Sequence, residues 1–169
     1  MTAGRAVEIL DRLTRHGVTV WLDGGWGVDA LLGRVTRPHD DLDVIVPLDR
    51  VPRLESALTE LGYERLRGAP PTGFEAVDSR GHQVDVHPVT FAPNGEGIYK
   101  MESGEDWLYP ATAFSGVGFI LRRRVQCLTP EELMRSHTSG YALDEAHRRD
   151  VHKLSEQFGL TLPEFQVAD

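Results

Sequence analysis

Cysteine is almost absent from this 169-residue chain. Cys127 stands alone, which excludes a disulfide framework and suits a reducing compartment. No apolar run approaches the length of a membrane span. Glu8 and Asp11 interrupt the first apolar pattern, which excludes a signal-peptide core there. Nor is there a basic stripe to offset the net charge of -8, which argues against a duplex nucleic-acid partner. No nucleic-acid partner, no membrane partner and a cytoplasmic location are therefore expected. Repeats and linker-like segments are missing too, so residues 1–169 read as one domain able to bury a core, with residues 129–160 as a helical appendage. The acidic surface suits solubility, or a cationic small substrate.

Residues 3–16 carry Ala6, Ile9, Leu10 and Leu13 at helical spacing, with Thr2 to cap the start and Gly17 to end it. A short strand is expected over Val18–Leu22, then a helix around Trp26–Leu32 opened by Asp23-Gly24-Gly25. Asp41–Val46 reads as a buried strand. After Pro47 and Asp49, the residues Val51, Leu54, Leu58 and Leu61 mark a third helix stopped by Gly62. Phe74–Asp78 and His82–Val86 form an expected hairpin. Residues 91–118 lack a clear period and read as a long, functional loop. A strand near Phe119–Val125 follows, with Arg122-Arg123-Arg124 on a solvated face. Thr129-Pro130-Glu131-Glu132 starts a helix with a capping Thr, Pro at N1 and Glu at N3. A last helix spans Asp144–Phe158 and ends at Gly159. The fold class that follows is α+β, one mixed sheet flanked by helices.

Asp41 and Asp43 lie two apart in an otherwise interior strand, so both side chains share a face. Two buried carboxylates side by side are costly unless something neutralises them. A hard divalent cation such as Mg²⁺ does so with oxygen ligands. The alternative, an edge strand with two solvated aspartates, fits less well because Val44-Ile45-Val46 continues the strand as fully apolar. Upstream, the Gly24-Gly25 turn sits between a strand and a helix, where backbone N–H groups can approach a phosphate. Gly-Gly turns are common. One followed about sixteen residues later by Asp41-Leu42-Asp43 is far more specific.

That combination resembles the polymerase-β-like nucleotidyltransferases. Trp21-Leu22-Asp23-Gly24-Gly25-Trp26-Gly27-Val28-Asp29 is similar to the opening motif of the small lincosamide nucleotidyltransferases. Gly33 to Asp43, with Arg37-Pro38-His39-Asp40-Asp41-Leu42-Asp43, also resembles the related aminoglycoside 2''-nucleotidyltransferases. Asp85-Val86-His87-Pro88, Ser139-Gly140-Tyr141 and the helix holding Asp150 and Leu154 extend the likeness over nearly the whole chain. It is weakest over residues 91–118. Many superfamily members carry Ser after the first Gly, where this chain and both named families have a second Gly.

The resemblance implies a polymerase-β-like fold with C-terminal helices, two Mg²⁺ ions, and ATP as donor of AMP to a hydroxyl of a lincosamide-type antibiotic, with pyrophosphate released. Alternatives are an aminoglycoside 2''-hydroxyl, or AMP transfer to a protein in a toxin–antitoxin module. It implies Asp41, Asp43 and Asp85 as metal ligands, Asp85 also as general base, and Gly24 and Gly25 along the triphosphate. Alone, Asp85 would read as an exposed strand residue; His87 lies on its face. Arg37 and His39 share the odd-numbered register of the aspartates and either meet phosphate oxygens or are ordinary loop residues. Tyr141, His147 and Lys153 are within the reach of C-terminal helices for nucleotide or substrate, His147 reading rather as structural. Trp26, Tyr99, Trp107 and Tyr109 are candidate stacking surfaces, or core. The family's small members imply a homodimer.

Overall fold

A computed structural model describes residues 1–139 and 145–162. The chain begins with helix α1 (Ala3–Arg15), whose N-cap Thr2 accepts a hydrogen bond from the Arg5 amide at 3.2 Å. Its apolar stripe Ala6, Ile9, Leu10 and Leu13 is buried as its spacing requires. Strand β1 (Trp21–Leu22) leads into α2 (Gly24–Leu32), capped by Asp23. Then come β2 (Asp43–Pro47), a 3₁₀ turn, α3 (Val51–Thr59), β3 (Tyr63–Gly68), β4 (Phe74–Asp78) and β5 (Gln83–Phe91). β6 (Gly97–Lys100), β7 (Asp106–Tyr109), β8 (Gly116–Ile120) and β9 (Arg123–Cys127) precede the helices α4 (Pro130–Thr138) and α5 (Glu145–Phe158). The fold is α+β, as expected.

The nine strands join in one mixed sheet of order β3-β4-β5-β2-β1-β9-β8, with the β6–β7 hairpin extending from β5. β2 runs parallel to β5, pairing Asp43 with Asp85 and Ile45 with His87. Strand alternation sends Val44, Val46 and Val86 to one side, where they pack with α1 and α3. Ile45 goes to the other, with Val28, Leu133, Val151 and Leu154 of α2, α4 and α5. Odd-numbered residues of β2 and β5 therefore face the α4–α5 side, and the carboxylates with them.

Several expectations change. Residues 91–118 hold two strands, a 3₁₀ turn and the start of β8 instead of a long loop. Each strand is short and the hairpin between them turns at Met101–Gly104, so turn residues hide the period. The strand expected over Phe119–Val125 is two strands, since Leu121 takes a positive φ of 48° and turns the chain. Arg122 thus belongs to a turn. Arg123 is anchored to α1, donating to Asp11 at 2.5 Å and to Thr14 at 2.9 Å. β3, an edge strand exposed after Tyr63, was not anticipated because an edge exposed on both faces shows no alternation. Thr129 occupies the N-cap of α4 without a side-chain cap bond. Glu132 is instead held by Trp107 and Arg135.

Candidate active site

The parallel register of β2 and β5 brings Asp43 beside Asp85. Asp41 lies in the lead-in to β2, held there because the flanking Leu42 exchanges backbone hydrogen bonds with β5 through Gln83 and Asp85. Ligand atoms of Asp41, Asp43 and Asp85 lie within 4.8 Å of one another, forming the one such acidic cluster among the described residues. Burial, and next the charge of Asp43, hold the Asp41 carboxyl above its ordinary range. Burial followed by the charge of Asp43 pushes Asp85 up to about 6, even though Gln83 donates to its Oδ1 at 2.7 Å. Both shifts have the cause expected of carboxylates crowded into one half-buried site, and the nearby Arg37 charge offsets that of Asp41 only in part. The donor set fits a hard divalent cation: oxygen atoms only, convergent, and electrostatically unsatisfied as they stand.

The opposite wall is built from the turn into α2. Gly24 takes a φ of +56°, and a β-carbon there would lie 2.8 Å from Cγ of Asp43. At Gly25 a β-carbon would sit 2.5 Å from Nδ1 of His39 and would also strike Arg37. Glycine at both places lets the helix N-terminus approach the carboxylates, leaving backbone N–H groups open to an anion.

A cleft of about 650 Å³ joins these parts, with Gly24, Gly25, Arg37, Asp41, Asp43 and Asp85 along it. His87 lines it as well, its Nε2 3.8 Å from Asp43. Burial works against protonation of His87, but Asp43, then Asp23 and Asp85, outweigh it and raise its pKa. A smaller cavity of about 180 Å³ opens beside it, walled by Tyr99, Met101, Trp107 and Tyr109 and sharing His87 and Asp23 with the cleft. Arg135 lies 4.0 Å over the Trp107 ring, and Tyr99 meets His87 edge-on at 5.2 Å.

His39 is placed differently from its register. It is buried behind Gly25, its Nε2 2.6 Å from Asp29 and its ring 4.5 Å from that of Trp26. Trp26 itself is core. Lys153 turns to Thr36 at 2.8 Å and lies 3.6 Å from Asp150. Tyr141 lies outside the described residues. Sequence reasoning missed Asp23, Ser136 and His137 as cleft residues, and His147 joins them there rather than serving the core alone. Ser136 donates to Asp23 at 3.2 Å. No local pattern marks Ser136 and His137, because α4 puts Leu133 and Met134 in the core and only its packing turns Ser136 and His137 to the cleft.

Residues 6–154 match the family model described as aminoglycoside-2''-adenylyltransferase. A lincosamide resistance protein of Staphylococcus haemolyticus is 30% identical over 86% of this chain and 89% of its own length. A 2''-aminoglycoside nucleotidyltransferase of Klebsiella pneumoniae is 44% identical over 75% of this chain and 67% of its own. Among solved structures, the lincomycin-bound lincosamide antibiotic adenylyltransferase LnuA superposes with a TM-score of 0.80 at 28% identity, covering 92% of this chain and 97% of that one. ANT(2'')-Ia in complex with adenylyl-2''-tobramycin gives 0.75 at 24% identity over 93% and 89% of the two chains, a likeness of fold.

Proposed function

Because this chain belongs to the aminoglycoside-2''-adenylyltransferase family and is a nucleotidyltransferase, we propose that it transfers AMP from ATP to a hydroxyl of a lincosamide-type antibiotic. The observation that carries this reading is the convergence of Asp41, Asp43 and Asp85 beside an aromatic cavity. Asp41, Asp43 and Asp85 would hold Mg²⁺, which when bound neutralises triphosphate charge and orients it for displacement. Gly25 offers its N–H group to the phosphates, Gly24, whose own N–H donates to the Asp23 cap at 2.8 Å, lets that turn come close, and Arg37 adds a planar cation suited to them. Asp85 takes the proton of the acceptor hydroxyl. Gln83 occupies its Oδ1, which leaves Oδ2 to receive that proton. As the hydroxyl oxygen bonds to the α-phosphorus, the bond from phosphorus to pyrophosphate breaks. Positioning and charge neutralisation are most of what the protein must supply.

The acceptor's place is the cavity of Tyr99, Met101, Trp107 and Tyr109, with His87 at its border with the cleft. Its apolar walls suit an acceptor with a substantial apolar part better than a purely polycationic one. The aminoglycoside reading is supported by the higher identity, 44%, to a 2''-aminoglycoside nucleotidyltransferase. A homodimer is the proposed assembly. It is supported by the open edge β8, which presents Val117 and Phe119 half exposed to a would-be neighbour; light scattering tests it, and an active monomer would refute it. Incubation with ATP, Mg²⁺ and a panel of lincosamides and aminoglycosides, followed by mass spectrometry, tests the reaction. AMP added to a lincosamide and abolished by EDTA is expected. Addition to aminoglycosides alone would select the second reading, and no addition to any would overturn both.

A further inference from the structure

Asp150, on α5, is 1% exposed, yet residues from three elements gather around its carboxylate. Arg37, from the segment leading to β2, donates to Oδ2 through Nε at 3.1 Å and Nη2 at 2.9 Å. His137 of α4 brings its Nε2 to 3.8 Å from that oxygen. The His137 Nδ1 lies 2.9 Å from the Leu133 carbonyl, which only accepts, so that nitrogen carries a hydrogen. Lys153 stands 3.6 Å from Oδ1, and Oδ1 accepts no hydrogen bond among the described residues. Arg37 and His137 both line the cleft, and Arg37 is close enough to Asp41 for each to shift the other's titration.

A fully buried carboxylate with an unsatisfied oxygen is a poor stabiliser compared with a packed apolar side chain. What it does supply is direction. Arg37 uses Nε and Nη2 on Asp150 and Nη1 on the Pro38 carbonyl at 3.2 Å. A guanidinium has five N–H groups, so one on each Nη is left over, and both belong to the fork that matches phosphate oxygens. Gly25, with no β-carbon to strike Arg37, allows that fork to lie against the turn into α2.

We propose that Asp150 is a positioning residue for nucleotide binding, holding the Arg37 guanidinium beside His137 on the cleft wall opposite the three aspartates, so that the phosphates are gripped between that cation and the metal the aspartates would hold. This rests on the nucleotide reading of the cleft given above. α5, through Val151 and Leu154 in the core, then sets the geometry of a site to which it contributes no metal ligand.

The test is titration of the full chain with Mg·ATP, alongside thermal melts without nucleotide. Asp150→Asn keeps the shape and removes the charge, so Kd should rise about tenfold or more, the scale of a charge-assisted pair. Arg37→Gln should weaken binding similarly, and the double variant should bind no worse than Arg37→Gln alone, since Asp150 acts through Arg37. Asp150→Glu retains the charge but displaces the fork. It should weaken binding several-fold with little change in melting temperature, and it carries the test if Asp150→Asn does not fold. Wild-type affinity in a folded Asp150→Asn or Asp150→Glu, or losses that multiply in the double variant, would overturn the proposal while leaving the nucleotide reading intact. A wild-type chain that does not bind Mg·ATP would remove both.

Discussion

Gly24→Ala probes how closely the helix turn and the carboxylates are fitted together. Two penalties arise there and can be separated. The φ of +56° costs an L-residue roughly 1–2 kcal/mol, offset in part by the stiffer unfolded chain. The new methyl would also lie 2.8 Å from Cγ and 3.3 Å from Cβ of Asp43, whereas carbon atoms pack at about 3.5–4.0 Å. Asp43 must therefore move by the better part of an ångström, or α2 must retreat and take the phosphate-facing N–H groups with it. Misplacement on that scale costs on the order of a hundredfold in rate. Gly33→Ala is the control, because Gly33 also has a left-handed φ, +67°, and nothing within 4 Å of the added carbon. Both variants should lose stability, about 2–4 °C of Tm per kcal/mol for a chain of this size. Only Gly24→Ala should lose nucleotide transfer, measured at saturating ATP and acceptor. Turnover within a few-fold of Gly33→Ala would refute the argument.

Trp107→Ala should raise the acceptor KM about tenfold or more, with little change in the nucleotide KM, because it removes a wall of the side cavity; equal effects on both would place the acceptor elsewhere. Asp78→Asn should cost about 3 kcal/mol at neutral pH in denaturant titration, since Arg5 and His82 would lose a buried partner. The hydrogen bonds of His82 and Arg80 overcome the opposing effect of burial and hold Asp78 well below its ordinary 3.8. Its contribution is therefore present above that value and lost as pH falls below it. The variant should show a shallower acid decline of Tm than wild type, and an unchanged decline would count against this.

The parts of the site that sequence revealed are those where a side chain breaks a local pattern. Asp41 and Asp43 interrupt an apolar strand, and Gly24-Gly25 interrupts the entry to a helix. Asp85 is different: its alternating strand fits a solvated aspartate equally well, so within the sequence only the family resemblance singles it out, and the register with Asp43 brings it to the cleft. The β6–β7 hairpin was hidden because four-residue strands are shorter than two full alternations plus a turn. His39 went astray for another reason. Its parity with Asp41 holds only for an extended chain, and residues 33–42 are irregular, free to turn the imidazole to Asp29. Asp150 and Lys153, the α5 partners of Arg37 and Thr36, lie more than a hundred residues away, beyond any local pattern.

The enclosed aspartates of this fold divide by the donors around them. Asp29 takes hydrogen bonds from the Thr36 amide and hydroxyl, and His39 lies against it. These outweigh burial and lower its pKa. Asp85 has one donor, Gln83, against the charge of Asp43, and stands near 6. The sign of the consequence is opposite to that at Asp78. A carboxyl that holds its proton more tightly when folded makes the folded state lose stability as pH rises from about 4 to 6, and the loss persists above. Two pK units correspond to nearly 3 kcal/mol, and the partial exposure of Asp85 reduces this to about 1–2 kcal/mol. Asp85→Asn should therefore be more stable than wild type in EDTA at pH 7, by several degrees in a thermal melt, and the difference should vanish near pH 4. The same variant should lose about 10²–10⁴-fold in turnover as the proton acceptor disappears, while Mg·ATP still binds through Asp41 and Asp43. Added Mg²⁺ should raise the Tm of wild type more than that of the variant, since a ligand stabilises the state it binds. If Asp85→Asn melts below wild type in EDTA, the carboxylate is structural, and the proton must leave the acceptor by another route.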